Sequence, residues 1–138
     1  MSQDAVAVVQ QGYDAFKRGD INGLLDLMAD NVVWETPVVE FEGRSFGGRT
    51  TGKAGVAAFF QSLGEREEVL AFETREFIAQ GNKVVMVGHY RARVRATGRT
   101  AESPMVHIFT IENGKVSSFF EVFDTAAAVK AYQRAASA

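Results

Sequence analysis

No cysteine occurs in the 138 residues, so disulfide scaffolding and thiol chemistry are both excluded, and the composition suits a reducing compartment such as the cytoplasm. Two prolines and no low-complexity tract leave little material for a linker, and the expectation is one domain over residues 1–138. Basic residues do not outnumber acidic ones: 15 Lys and Arg stand against 17 Asp and Glu. The resulting net charge of -2 gives no general pull toward nucleic acid or an anionic membrane. No apolar run approaches the roughly 20 residues that cross a bilayer. The opening MSQDAVAVV lacks the basic flank and apolar core of a secretory signal. The two histidines, His89 and His107, fall on opposite strand faces and have no cysteine to join them, so no metal site is expected. Neither Gly-x-Ser-x-Gly nor His-Glu-x-x-His occurs, and nothing in the sequence requires a cofactor.

What the chain does have is aromatic bulk: 11 Phe, 3 Tyr and 1 Trp, enough large side chains for one core. Val6, Val9, Tyr13 and Phe16 recur at helical spacing and predict a first helix that stops at Gly19. Asp20 is placed to cap a second, shorter helix carrying Ile21, Leu24, Leu25 and Met28, closed by Asp30-Asn31. VVWETP reads as a strand ended by Pro37, and the glycine-rich stretch from Val38 to Gly52 as an irregular loop. Val56, Phe59, Phe60 and Leu63 then mark a third helix, with Gly64 just past its end. From Val69 onward four strands follow, separated by Gly81-Asn82, Thr97-Gly98 and Glu112-Asn113-Gly114. Asp124-Thr125 caps an Ala-rich tail helix. Helices segregated to one side of an antiparallel meander predict an α+β fold.

Three features imitate chemistry. GGRTTGKA, Gly47 to Ala54, resembles a phosphate loop, but Ala54 stands where a Mg²⁺-binding hydroxyl is needed and no buried parallel strand precedes it. Arg91, Arg93 and Arg95 share one strand face, where Glu73 and Glu76 are the expected partners, so a solvated face is expected and no nucleic acid partner. Asp124 reads as a helix cap, not as a catalytic acid.

Three phrases carry a family resemblance: VVQQGYDAFKRGDINGLLDLMADNVVWETP, GKAGVAAFF and HIFTIENGKVSSFFEVFDT. With the order of elements, they make the chain resemble the SnoaL-like and ketosteroid-isomerase-like branch of the NTF2-like superfamily. The resemblance implies a cone in which a curved, mainly antiparallel sheet is wrapped by three N-terminal-half helices around an apolar pocket. It implies a homodimer through the outer sheet face, at Val85, Val87, His89 and the arginines. It does not carry an activity across. The isomerases' oxyanion-binding tyrosine falls on Gly12, next to Tyr13. Their general-base aspartate falls on Thr36, and their second oxyanion-hole acid on His107. Epoxide-hydrolase-like members keep an aspartate at what is Glu121 here, but their Arg and Asp become Gly88 and Tyr90.

The last hairpin decides whether His107 and Glu121 meet. A two-residue Asn-Gly turn would set His107 opposite Phe120 and send Glu121 to the other face. A three-residue Glu-Asn-Gly loop pairs Ile111 with Lys115, faces His107 with Phe119 and makes Glu121 its diagonal neighbour. The family alignment favours the second, and that register is the expectation. It sketches a pocket of Phe16, Val32, Trp34, Thr36, Phe59, Phe60, Tyr90, Met105, Phe109, Phe119 and Phe123, a form suited to a small apolar or aromatic molecule. In it Glu121 would orient His107, His107 would move a proton, and the Tyr13 hydroxyl would donate to a developing oxyanion. Isomerase, cyclase or dehydratase chemistry fits such a set. The alternative is a non-catalytic binding or dimerisation module in which His107 and Glu121 merely satisfy each other.

Overall fold

The computed structural model describes residues 2–134; Met1 and residues 135–138 of the expected domain lie outside the described residues. Helix α1 (Ser2–Lys17) and helix α2 (Ile21–Asp26) precede a hairpin of β1 (Met28–Phe41) and β2 (Arg44–Thr51). Helix α3 (Lys53–Arg66) leads into β3 (Glu67–Gln80), β4 (Lys83–Val94), β5 (Thr100–Glu112) and β6 (Lys115–Phe123), and α4 (Thr125–Tyr132) follows. One 6-stranded sheet runs in the order β2-β1-β6-β5-β4-β3. Every pairing is antiparallel except β1 with β6, the join that brings the first strand beside the last.

Local chemistry sets several boundaries. Gly19, at φ 74, turns the chain out of α1, and Asp20 caps α2 by accepting from the Gly23 N–H at 2.9 Å. Asp124 caps α4 in the same way, accepting from the Ala127 N–H at 3.1 Å. Helix α2 is shorter than its pattern suggested. Met28 opens β1 and is buried there, and Asp30 and Asn31 are strand residues. Gly64 lies inside α3, which runs to Arg66.

The expected loop from Val38 to Gly52 is a strand return. β1 passes through Pro37 at a register shift between Thr36 and Val39, turns at Glu42-Gly43, and comes back as β2. A proline is tolerated in a strand at such an irregularity. The glycines are required by close approach. Gly47 sits at φ 90, and a Cβ there would run into the Pro37 carbonyl. The phosphate-loop look-alike is thus an edge strand entering α3 through Gly52, not a cradle.

The concave face of the sheet holds the core, where Val32, Val84, Met86 and Met105 pack against Val9 and Tyr13 of α1 and Val56 of α3. Burying side chains of this size contributes roughly 1.5–3 kcal/mol each. A second, smaller cluster, Val94, Ala101, Ala131 and Tyr132, seats α4 on the sheet with Phe41 and Phe46 packed against it. On the convex face the arginines are paired, though not with the expected acids. Arg93 meets Glu68 at 2.7 Å, Arg91 meets Glu102 at 4.0 Å, and the Arg95 side chain donates to the Gly64 carbonyl at 3.0 Å.

Candidate active site

The final hairpin follows neither expected register. Its turn has two residues, Asn113 and Gly114, both left-handed, and Glu112 pairs with Lys115. That turn alone would point Glu121 away from His107. A bulge intervenes: Ile111 pairs with Val116, but Thr110 pairs with Ser118, so Ser117 is the extra residue. From there on parity is reversed, and His107 lies directly opposite Glu121 instead of opposite Phe119. The extra residue expected in the turn sits inside the strand, after the paired Lys115 and Val116.

Three side chains form a chain of hydrogen bonds across this face. The Tyr13 hydroxyl lies 2.6 Å from His107 Nδ1, and His107 Nε2 lies 2.8 Å from Glu121 Oε2. Burial, with the Glu121 charge adding to it, holds the Tyr13 proton well above the usual phenol range. Tyr13 therefore donates, Nδ1 accepts, and the imidazole proton on Nε2 goes to Glu121. Both ring nitrogens are occupied, and the His107 side chain is only 5% exposed. Glu121, at 17%, is more open, and its Oε1 makes no hydrogen bond among the described residues. The atom left for an incoming molecule is on the carboxylate, not on the imidazole.

This chain opens into a cavity enclosed between the helices and the inner face of the sheet. Helix α1 supplies Tyr13 and Phe16, β1 supplies Trp34 and Thr36, and α3 supplies Phe59 and Phe60. Tyr90 comes from β4, Met105, His107 and Phe109 from β5, and Phe119, Glu121 and Phe123 from β6. Val32 does not join them; it is fully buried in the core behind. Parallel pairing of Trp34 with Phe119 stacks their rings at 3.8 Å, so this aromatic wall follows from the β1–β6 join. The Trp34 Nε1–H is buried there without an acceptor among the described residues. Gly12 packs on Leu24 at the cavity wall, and Tyr13 is the tyrosine that reaches β5. Gly88 has no room for a side chain, because a Cβ would strike the Glu73 carbonyl.

The opposite end of the cavity is polar in a way the sequence reading missed. Arg66, Glu67 and Tyr132 line it beside Tyr90. Arg66 Nη1 donates to the Tyr132 oxygen at 2.5 Å, and the Tyr132 hydroxyl donates to Glu67 Oε2. Burial raises the Glu67 carboxyl above its ordinary value; the Tyr132 hydrogen bond and Arg66 oppose that, and Glu121 adds to it. Burial first, then the Glu67, Glu121 and Asp124 charges, raise Tyr90 as well. The inward spacing of Ala128, Ala131 and Tyr132 along the tail helix was a readable signal for Tyr132; Arg66 and Glu67, in the polar run GEREE, gave none. Among the described residues no group of His, Cys, Asp and Glu is gathered closely enough to hold a metal ion.

Residues 9–119 match the family model described as the SnoaL-like domain. No curated protein matches the chain. An NTF2-like protein from Burkholderia xenovorans LB400 is 35% identical, with 96% of this chain and 98% of that one covered and a TM-score of 0.86. An NTF2-like protein of unknown function from Burkholderia pseudomallei K96243 is 31% identical over 95% and 98%, with a TM-score of 0.82. TerC, in a crystal structure with polyporic acid, is 30% identical over 93% and 97%, with a TM-score of 0.76. The family match spans both the helix that carries Tyr13 and the strand that carries His107, and the relatives share the whole cone. The chain belongs to the SnoaL-like family and has the NTF2-like fold.

Proposed function

We propose that the chain binds a small apolar or aromatic molecule and transfers a proton on it by general acid–base catalysis, as an isomerase, cyclase or dehydratase does. The observation that carries this reading is the Tyr13–His107–Glu121 chain ending in an open carboxylate oxygen inside an apolar cavity. The roles differ from those first expected. Glu121 Oε1 is the base that meets the substrate, and His107 is a positioning residue that fixes Oε2. Tyr13 holds the imidazole in one tautomer. A proton next to a substrate carbonyl passes to Oε1, the electron pair moves onto the carbonyl oxygen, and return of the proton at another carbon completes an isomerisation. That TerC was co-crystallised with polyporic acid supports a small organic occupant.

Deuterium exchange into 1-tetralone in D2O, followed by mass spectrometry, tests the chemistry. The native protein should accelerate exchange above buffer, and Glu121→Gln should remove the acceleration. Binding of the ketone with no accelerated exchange would instead favour the non-catalytic module.

We also propose that a second copy of the chain covers the convex face of the sheet. Direct pairing lines up Ile78, Val85, Ile108 and Phe120 across four strands, with Val87, Val106 and Val122 in the next row. Ile78, Phe120 and Val122 are 52%, 41% and 47% exposed. Arg91, Arg93, Glu68 and Glu102 border the apolar rows with both signs of charge, which suits a self-complementary two-fold interface. Light scattering should give twice the chain mass, and Phe120→Glu should halve it; a monomeric native protein sinks the idea.

A further inference from the structure

The chemistry above uses one end of the cavity. The other end has its own carboxylate, and nothing in the proton-transfer reading employs it.

Glu67 stands at the junction of α3 and β3, where its side chain is 14% exposed. Its Oε2 is engaged by the Tyr132 hydroxyl and lies 3.4 Å from Arg66 Nη1. Arg66 is itself fixed: Nε donates to Ser62 Oγ at 3.0 Å, and the guanidinium carbon lies 3.7 Å from the centre of the Phe46 ring. A carboxylate gripped by one oxygen and seated on a stacked guanidinium is held in place, and its Oε1 makes no hydrogen bond among the described residues. Beside it Tyr90 presents a hydroxyl that likewise makes none, and both groups line the cavity. The pattern repeats the other end, where His107 grips Glu121 Oε2 and leaves Oε1. Neither oxygen is among the buried polar atoms that lack a partner, so both are open to whatever enters the cavity.

We propose that Glu67, positioned by Tyr132 and Arg66, is a second recognition station in the same cavity, which accepts a hydroxyl of the ligand. The inference rests on the small-molecule reading of the cavity and sharpens it. The ligand is a flat apolar or aromatic body with an oxygen function at each end, one at Glu121 and one at Glu67. A carboxyl accepts from a hydroxyl whether or not it carries a proton, so the recognition does not depend on its charge. By register the row of Met105 and Phe123 lies between the two stations, and these cavity-lining side chains take the ring body.

Two probes separate the stations: 2-naphthol, with one hydroxyl, and 2,6-dihydroxynaphthalene, with one at each end. Calorimetric titration of the native protein should give an affinity about tenfold higher for the diol, the size of one extra hydrogen bond. Glu67→Leu should bring the two probes to within about twofold of each other. Tyr132→Phe, which keeps the ring packed on Phe41 and Phe46, should narrow the ratio as well and stands in if the leucine variant does not fold. Equal affinities in the native protein, or a diol preference that survives both substitutions, would overturn the proposal while leaving the small-molecule reading intact. Failure of both probes to bind would remove that reading and the second station with it.

Discussion

Two carboxylates share one cavity and differ in what holds them. Glu121 is gripped by an imidazole whose other nitrogen accepts from the Tyr13 hydroxyl, a relay that fixes Oε2 and leaves Oε1 to the cavity. Glu67 is gripped by a tyrosine hydroxyl and a guanidinium that is itself pinned by Ser62 and the Phe46 ring. The first surroundings suit an atom that gains and loses a proton during a reaction. The second suit an atom that keeps one place. In the roles we propose, the same side chain in one apolar chamber serves transfer at one end and recognition at the other.

The largest expected effect breaks the comparison at its chemical end. Glu121→Gln keeps the shape and the bond to His107 Nε2 but removes the base, so catalysed exchange into 1-tetralone should fall about 100-fold or more. An equal fall from Glu67→Gln would mean that both carboxylates transfer protons, and the division of labour proposed here would be wrong. Next in size is Tyr13→Phe. The phenyl ring still packs against Phe72, Phe77 and Phe109, but His107 Nδ1 loses its donor inside the protein. A buried acceptor left unpaired costs about 1–3 kcal/mol, which urea unfolding would read directly. Exchange should also slow by about tenfold, because the imidazole tautomer is no longer fixed. Full stability in the variant would show that Tyr13 contributes packing alone.

How legible the two ends were in the sequence also differs. His107 and Glu121 stood out because charged residues are rare in so apolar a hairpin, and inward parity followed from the strand period once a register was chosen. The register itself was not legible. Asn113-Gly114 announces a two-residue turn correctly, but nothing in KVSSFF marks Ser117 as a bulge. Two errors compensated: the loop length was misjudged, and the extra residue was still there, in the strand. Glu67 was hidden for a different reason. In GEREEV it looks like any solvated helix end, and only the docking of α4, three strands away in sequence, turns it into a cavity wall. The β1–β2 hairpin was hidden by composition, since Pro37 and the glycines opposite it read as loop residues when they mark a bulge and a close approach. Periodicity reports which face a residue occupies; it does not report what arrives from elsewhere to cover it.

Because α4 is what seats Tyr132 on Glu67, loosening that helix tests the recognition end without touching it. Asp124→Ala removes the cap bond to the Ala127 N–H, a loss of about 1 kcal/mol. Melting temperature should drop by about 3–4 °C for a chain of this size. The preference for the diol should weaken more than the affinity for 2-naphthol does. A cap loss that lowers both affinities in proportion would place Tyr132 outside the recognition of either.

The smallest effect is a pH dependence, and its sign is fixed by the direction of one shift. Burial leads the causes that raise the folded Glu67 carboxyl above its ordinary 4.5. Between the unfolded and folded values the folded chain therefore holds a proton that the unfolded chain has released. Stability from that group is fully present below the ordinary value and is lost as the pH rises through the folded one. Glu67→Gln, neutral throughout, has no such loss. Melting temperatures of native and variant protein across about pH 4 to 8 should show the native protein's advantage shrinking as pH rises. An advantage that grows with pH would mean that Arg66 and Tyr132 outweigh burial and keep Glu67 as an ordinary ion-paired carboxylate. In that case recognition at Glu67 would rest on its open oxygen alone.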